Sequence, residues 1–171
     1  MDKLTDTTKQ TFFRLLNGDL AIKEFEQWVY NSSDNLEAEL QPDFYLDLIS
    51  FNYNQKDNFR QLGDKIGTQI DTNEFNIWRT RRLLRDIIEN KIDLVLATRK
   101  LRELYFDTGE NFIPITLGVG YESVLDDVPT PSEYKQWESG ALKQVLKKVD
   151  GYRDDIIRDA KLFLDTLDRM K

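Results

Sequence analysis

The sequence predicts an all-α fold: a single-domain bundle of about eight helices spanning residues 1–171, with one irregular Gly/Pro segment near 107–131. Two observations carry this. Apolar residues recur at three- and four-residue spacing along most of the chain, and no run keeps the alternation of a half-buried strand. Four prolines and eight glycines separate those periodic runs, with no repeat or low-complexity linker between them. A chain of 171 residues is long enough to bury a sizeable core of its own.

The first helix is expected from about Thr5 to Asn17, with Phe12, Leu15 and Leu16 on one face and Gly18 as the stop. Asp19 is placed to cap a second helix through Tyr30, whose apolar stripe is Ile22, Phe25, Trp28 and Val29. Asn31, Ser32 and Ser33 read as a loop. Asp34 and Glu37, three apart, then resemble a capping box for a short helix to Leu40. Pro42 suits the first position of the next helix, and Asp43 suits its positive dipole end. The segment FYLDLISFNY (44–53) is apolar nearly all round, which implies burial, and its length is compatible with either helix or strand.

A helix at about 56–67 uses Phe59, Leu62 and Ile66. Asp71 and Glu74 open a long one at about 73–90, and Asp93 opens another to Tyr105, the two joined tightly as a hairpin. Residues 107–120 are the main irregular segment, with a strand-like piece at 113–117 and a helical turn near 121–125. Val128-Pro129-Thr130-Pro131 is an extended connector, since a residue before proline avoids the α region. A short helix at 132–137, another at 142–149 and a strongly amphipathic last helix from Tyr152 to Met170 complete the chain.

Composition narrows the chemistry. The chain has no cysteine and no histidine, so disulfides, thiolate catalysis, histidine-based triads and most zinc sites are excluded. No cofactor is expected. No apolar run approaches the length of a membrane span, and the N-terminus has no signal-like apolar region, which predicts a cytoplasmic protein. The net charge is −7, and residues 1–70 hold most of it: seven bases against twelve acids. That field repels nucleic acid and attracts basic proteins.

The acids concentrate in residues 24–55, which hold Glu24, Glu26, Asp34, Glu37, Glu39, Asp43 and Asp47 and no Lys or Arg. Trp28, Tyr30, Tyr45 and Tyr53 lie among them. Aromatics bury large area at low entropy cost, so acids interleaved with aromatics point to a face that binds a basic partner. Trp28 and Tyr30 are the expected anchors, and the seven acids the expected charge partners. The plainer alternative puts the aromatics in the core and the acids in water.

Three other features invite chemistry. Arg79, Arg81, Arg82 and Arg85 could form a phosphate patch, but interleaved acids make salt-bridged faces the expectation. Asp126-Asp127 and Asp154, Asp155 and Asp159 could hold Mg²⁺ for an all-α phosphohydrolase, yet Arg158 stands where a third acid is needed. Gly118-Val119-Gly120 lacks phosphate-loop spacing and reads as a turn.

The runs Phe25-x-x-Trp28-Val29-Tyr30, Tyr45-Leu46-x-Leu48-Ile49-Ser50-Phe51-Asn52-Tyr53, Phe112-Ile113-Pro114-Ile115 and Pro129-x-Pro131-x-x-Tyr134-x-x-Trp137 resemble small acidic bacterial proteins akin to immunity proteins of polymorphic-toxin systems. The resemblance implies a non-enzymatic role: an acidic face covering the active site or groove of a basic toxin. It transfers no catalytic residue.

Overall fold

A computed structural model describes residues 4–110 and 112–169. Nine α-helices and no strand occur among them. Contacts divide the chain into two compact units, residues 1–75 and 76–171. Buried apolar side chains form two clusters that follow this division, where the sequence suggested one layered core.

In the first unit, α1 (Asp6–Leu16) starts at Thr5, whose hydroxyl accepts from the Thr8 N–H. It ends as expected at Gly18, in the left-handed region at φ +76°. The Gly18 N–H donates to the Leu15 carbonyl and the Asp19 N–H to the Arg14 carbonyl, which closes the last turn. Asp19 does not cap the second helix, which starts two residues later, and its carboxylate accepts from the Asn17 side-chain amide. That helix, α2 (Ile22–Asn31), begins from extended Ala21, whose N–H donates to the Glu24 carboxylate.

Only Ser32 separates α2 from α3 (Ser33–Glu39), so the expected loop at 31–33 is a single residue. The Asp34/Glu37 capping box is absent, because Asp34 already lies inside the first turn of α3. Helix α4 (Pro42–Ile49) starts on Pro42 and settles the 44–53 segment as helical to residue 49, followed by a turn. Its all-round apolar character is only partly buried: Phe44 and Leu48 are interior, and Leu46 is 60% exposed. Helix α5 (Asn58–Gly67) completes the unit, its Gly63 passing close to the Leu16 side chain of α1. Phe12 is the hub: its ring lies 6.2 Å from Phe25, 6.0 Å from Trp28 and 6.2 Å from Phe44. Edge-on and tilted ring pairs of this kind add to plain area burial.

Helix α6 (Thr72–Ile88) begins at Asp71, whose carboxylate accepts from the Glu74 N–H. The Glu74 carboxylate does not close a box but reaches Lys9. Asn90 ends α6 in the left-handed region at φ 54°. The Lys91 N–H bonds back to the Asp86 carbonyl, the same device as at Gly18. Helix α7 (Leu94–Asp107) follows from its Asp93 cap, with Leu94, Ala97, Leu101, Leu104 and Tyr105 buried as their spacing requires.

The strand-like piece at 113–117 is instead the approach to a π-helical turn (Thr116–Gly120) that runs into α8 (Tyr121–Val124). A Cβ on Gly118 would stand 2.4 Å from Tyr105 Cδ2, so only glycine lets this turn seat on α7. The expected helix at 132–137 shrinks to one 3₁₀ turn, Tyr134–Gln136. The two expected C-terminal helices are one, α9 (Ser139–Arg169), started by Glu138 accepting from the Gly140 and Ala141 N–H groups. Gly151 lies within α9 without breaking it, and the expected end at Met170 lies outside the described residues.

The two glycines predict opposite outcomes. Gly118→Ala forces the Tyr105 ring aside and should destabilise by about 1–3 kcal/mol. Gly151→Ala meets nothing within 4 Å and should stabilise by about 0.5–1 kcal/mol. Thermal and urea unfolding followed by circular dichroism checks both; equal shifts of one sign would contradict the packing described.

Candidate functional site

The acidic stretch falls on α2, α3 and α4 of the first unit, and the structure sorts its seven acids by duty. Glu24 serves the start of α2 through Ala21. Glu39 serves the start of α1: its carboxylate accepts from the Thr5 N–H at 3.2 Å and from the Thr5 hydroxyl at 2.9 Å. Asp47 is ion-paired with Lys65 of α5. Glu26, Asp34, Glu37 and Asp43 are left without an ion pair among the described residues. Of these, Asp34 accepts only a 3.4 Å bond from the neighbouring Ser33 hydroxyl.

The two expected anchors part company. Trp28 is half-buried against Phe12 and Phe25, at 6.0 and 5.4 Å between ring centres, which ties it to the core margin. Tyr30 is 49% exposed and meets the buried ring of Tyr53 edge-on at 6.3 Å. Glu26 precedes Tyr30 by one helical turn and adds to the negative potential around Tyr53.

Tyr53 donates to the Leu48 carbonyl at 2.9 Å. Burial first, then Tyr30 and Glu26, hold its phenol well above the usual tyrosine range. Half-buried Tyr45 lies near Glu37 and Asp34, and partial desolvation followed by those two charges raises its phenol too. The unpaired acids thus surround two tyrosine groups, Glu26 with Tyr30 and Tyr53, and Asp34 and Glu37 with Tyr45.

Asp43 stands apart from these. With Asp47 and Lys65 it lines a shallow groove of about 420 Å³ over Phe44, together with Asp64, Thr68 and Gln69. Asp64 was outside the acidic stretch and had no signal of its own. The packing of α4 beside α5 brings it there.

Many charges of the second unit are paired within it. Arg79 pairs with Asp107, Arg81 and Arg85 with Asp168, and Arg82 lies over the Trp78 ring. The arginine run is therefore a salt-bridged face as expected, but through Asp107 and Asp168, which lie beyond the interleaved acids in sequence. Asp127 pairs with Lys148, Glu122 with Arg102, and Asp150 with Arg153.

Arg158 bridges Asp155 at 2.6 Å and Asp159 at 3.1 Å, and Tyr121 donates to Asp159 at 2.7 Å. Among the described residues no three Asp, Glu, His or Cys side chains are grouped to hold a metal ion. Asp127, Asp155 and Asp159 are thus engaged in salt bridges. Gly118 and Gly120 belong to the π turn against α7 and form no phosphate cradle.

No helix among the described residues is long and apolar enough to cross a membrane. Comparison with protein-family models, with curated proteins and with solved structures finds no match to this chain.

Two measurements test this sorting. Glu39→Ala should cost about 1 kcal/mol through the lost bonds to Thr5, while Glu37→Ala should leave the urea midpoint nearly unchanged. The Tyr53 phenol is held neutral in the folded state, so the stability it contributes is complete below pH ~10 and is lost as pH rises further. Tyr53→Phe should flatten the loss of stability between neutral and strongly alkaline pH. Tyr121, raised by burial and by its bond to Asp159, leaves a residual slope of the same sign.

Proposed function

We propose that this chain is a non-enzymatic binding module that captures a basic protein partner through the acidic, tyrosine-bearing surface of α2–α4. The observation that carries this reading is the uneven compensation of charge. Six of the seven acids between residues 24 and 55 have no cationic partner among the described residues, whereas the acids of the second unit are widely paired. Uncompensated like charges repel one another, and a cationic partner relieves that repulsion.

Glu26, Asp34, Glu37 and Asp43 are the charge partners in this reading, and Tyr30 and Tyr45 supply aromatic area beside them. The groove over Phe44 suits the aliphatic stem of a lysine or arginine, with its head near Asp43 and Asp64. Glu24, Glu39 and Asp47 support the fold first, and Trp28 holds the surface from beneath.

The role that fits is immunity-like and cytoplasmic. A toxin that grips nucleic acid is basic at its active groove, and a surface of carboxylates competes there with phosphates. The complex would bind without chemistry, through fast, salt-sensitive association and slow dissociation.

The partner for the test is the protein encoded beside this chain's gene, examined by co-expression and by rapid mixing. The combined variant E26Q/D34N/E37Q/D43N should slow association at least about tenfold at low ionic strength and flatten its salt dependence. Unchanged rates, or a neighbouring product that neither binds nor is neutralised, would sink the proposal.

A further inference from the structure

Among the described residues of the first unit, the most exposed large apolar side chain is Leu46 of α4, at 60%. A lone exposed leucine is ordinary, so its surroundings decide what it means. Phe44 and Leu48 are buried, and Leu46 lies two positions from each, which puts it on the opposite side of the helix. Pro42, one turn earlier, is also exposed, so α4 turns a short apolar ridge outward. The Ser50 hydroxyl, one turn later, donates back to the Leu46 carbonyl and is satisfied within the helix.

Acids border this ridge on both sides. Asp43 and Asp47 lie along one side and line the groove over Phe44, across which α5 adds Asp64 and Lys65. Tyr45 lies on the other side, half-buried, with Glu37 and Asp34 near its phenol. Of these five acids only Asp47 has a cation, Lys65, among the described residues. The excess belongs to the whole unit: residues 1–75 carry fourteen acids and seven bases, and residues 76–171 carry seventeen of each. An apolar centre within a polar rim is the common plan of a protein interface.

On the reading of α2–α4 as the binding surface, we infer that α4 is its recognition helix and Leu46 its apolar anchor. The occupant is a basic amphipathic helix of the partner. Its aliphatic stripe covers Pro42 and Leu46, and lysines or arginines on both flanks of that stripe meet Asp43 and the groove on one side and Asp34 and Glu37 on the other. Charge selects this occupant. A neutral apolar surface would leave unpaired carboxylates at the edge of the contact, at a cost in desolvation. A second copy of the chain, pairing through α4, would set acids against acids. The acids steer and Leu46 holds, so charge acts on association and the buried leucine on dissociation.

The probe is a fluorescein-labelled helical peptide of about four turns, with a leucine stripe flanked on both sides by arginines, titrated with the full chain at physiological salt and followed by anisotropy. Saturable binding is expected, weakened about tenfold or more by Leu46→Ser and kept within about twofold by Leu46→Met. The variant E26Q/D34N/E37Q/D43N should weaken it by at least about threefold and flatten its salt dependence, while Asp165→Asn on the exposed side of α9 should change it by less than about twofold. In stopped-flow mixing, Leu46→Ser should speed dissociation and the combined variant should slow association.

Melting curves confirm that each variant is folded. Absence of saturable binding, or equal weakening by Asp165→Asn and the combined variant, would overturn the assignment of α4. Indifference to Leu46→Ser with a full effect of the combined variant removes the anchor and leaves the acidic surface standing. Association with the neighbouring gene product that ignores the combined variant removes the surface itself. Self-association in sedimentation that Leu46→Glu abolishes would also overturn the assignment.

Discussion

The Tyr105 ring occupies the space that a side chain on residue 118 would need, and the arrangement of the second unit follows from that contact. Because residue 118 is glycine, the π turn presses directly onto α7. That places Leu117 and Tyr121 inward, Ile115 outward, and the Tyr121 hydroxyl against Asp159 of α9. A single close approach thus ties α7, α8 and α9 into one cluster and leaves an apolar groove open on its surface. In the first unit Phe12 has the corresponding part. Its ring is met by Phe25, Trp28 and Phe44 from α2 and α4, so the helices carrying the acids are positioned from within.

Charge is distributed on a different plan in the two units. In the second, arginines of α6 and α7 and basic residues of α9 find carboxylates nearby, and the surface is largely neutral by pairing. In the first, α2 to α4 carry seven acids against one cation, Lys23, and among the described residues only Lys65 of α5 is ion-paired with one of those acids. Exposed ion pairs add little to stability, so this difference says more about what each surface attracts than about how firmly each unit folds.

Much of the helical order is legible in the residues. The Leu94–Tyr105 periodicity with its Asp93 cap, the Gly18 stop and Pro42 at a helix start each express a local rule that tertiary structure did not override. The failures are nonlocal. Asp19 has the chemistry of a cap, but the second helix starts only after Ala21 and the Asp19 carboxylate accepts from the Asn17 amide. Residues 113–117 looked strand-like until packing against Tyr105 imposed helical geometry. Gly151 looked like a boundary, yet the penalty for glycine within a helix is about 1 kcal/mol, small beside the burial of Ile156, Ala160, Phe163 and Leu167. In the candidate site, sequence could gather the seven acids but not rank them. The bond from Thr5 to Glu39 spans 34 positions, and Asp64 joins Asp43 only because α5 lies beside α4.

The sorting of the acids also separates surface charge from folding. Glu26, Asp34, Glu37 and Asp43 cap no other helix and close no salt bridge among the described residues, while Glu24, Glu39 and Asp47 do such work. Neutralising the first four therefore alters the field of α2–α4 at little expense to folding, whereas a change at Phe12 or the rings it meets loosens all three helices from within. The charge of this face and the packing beneath it are separable within the same three helices.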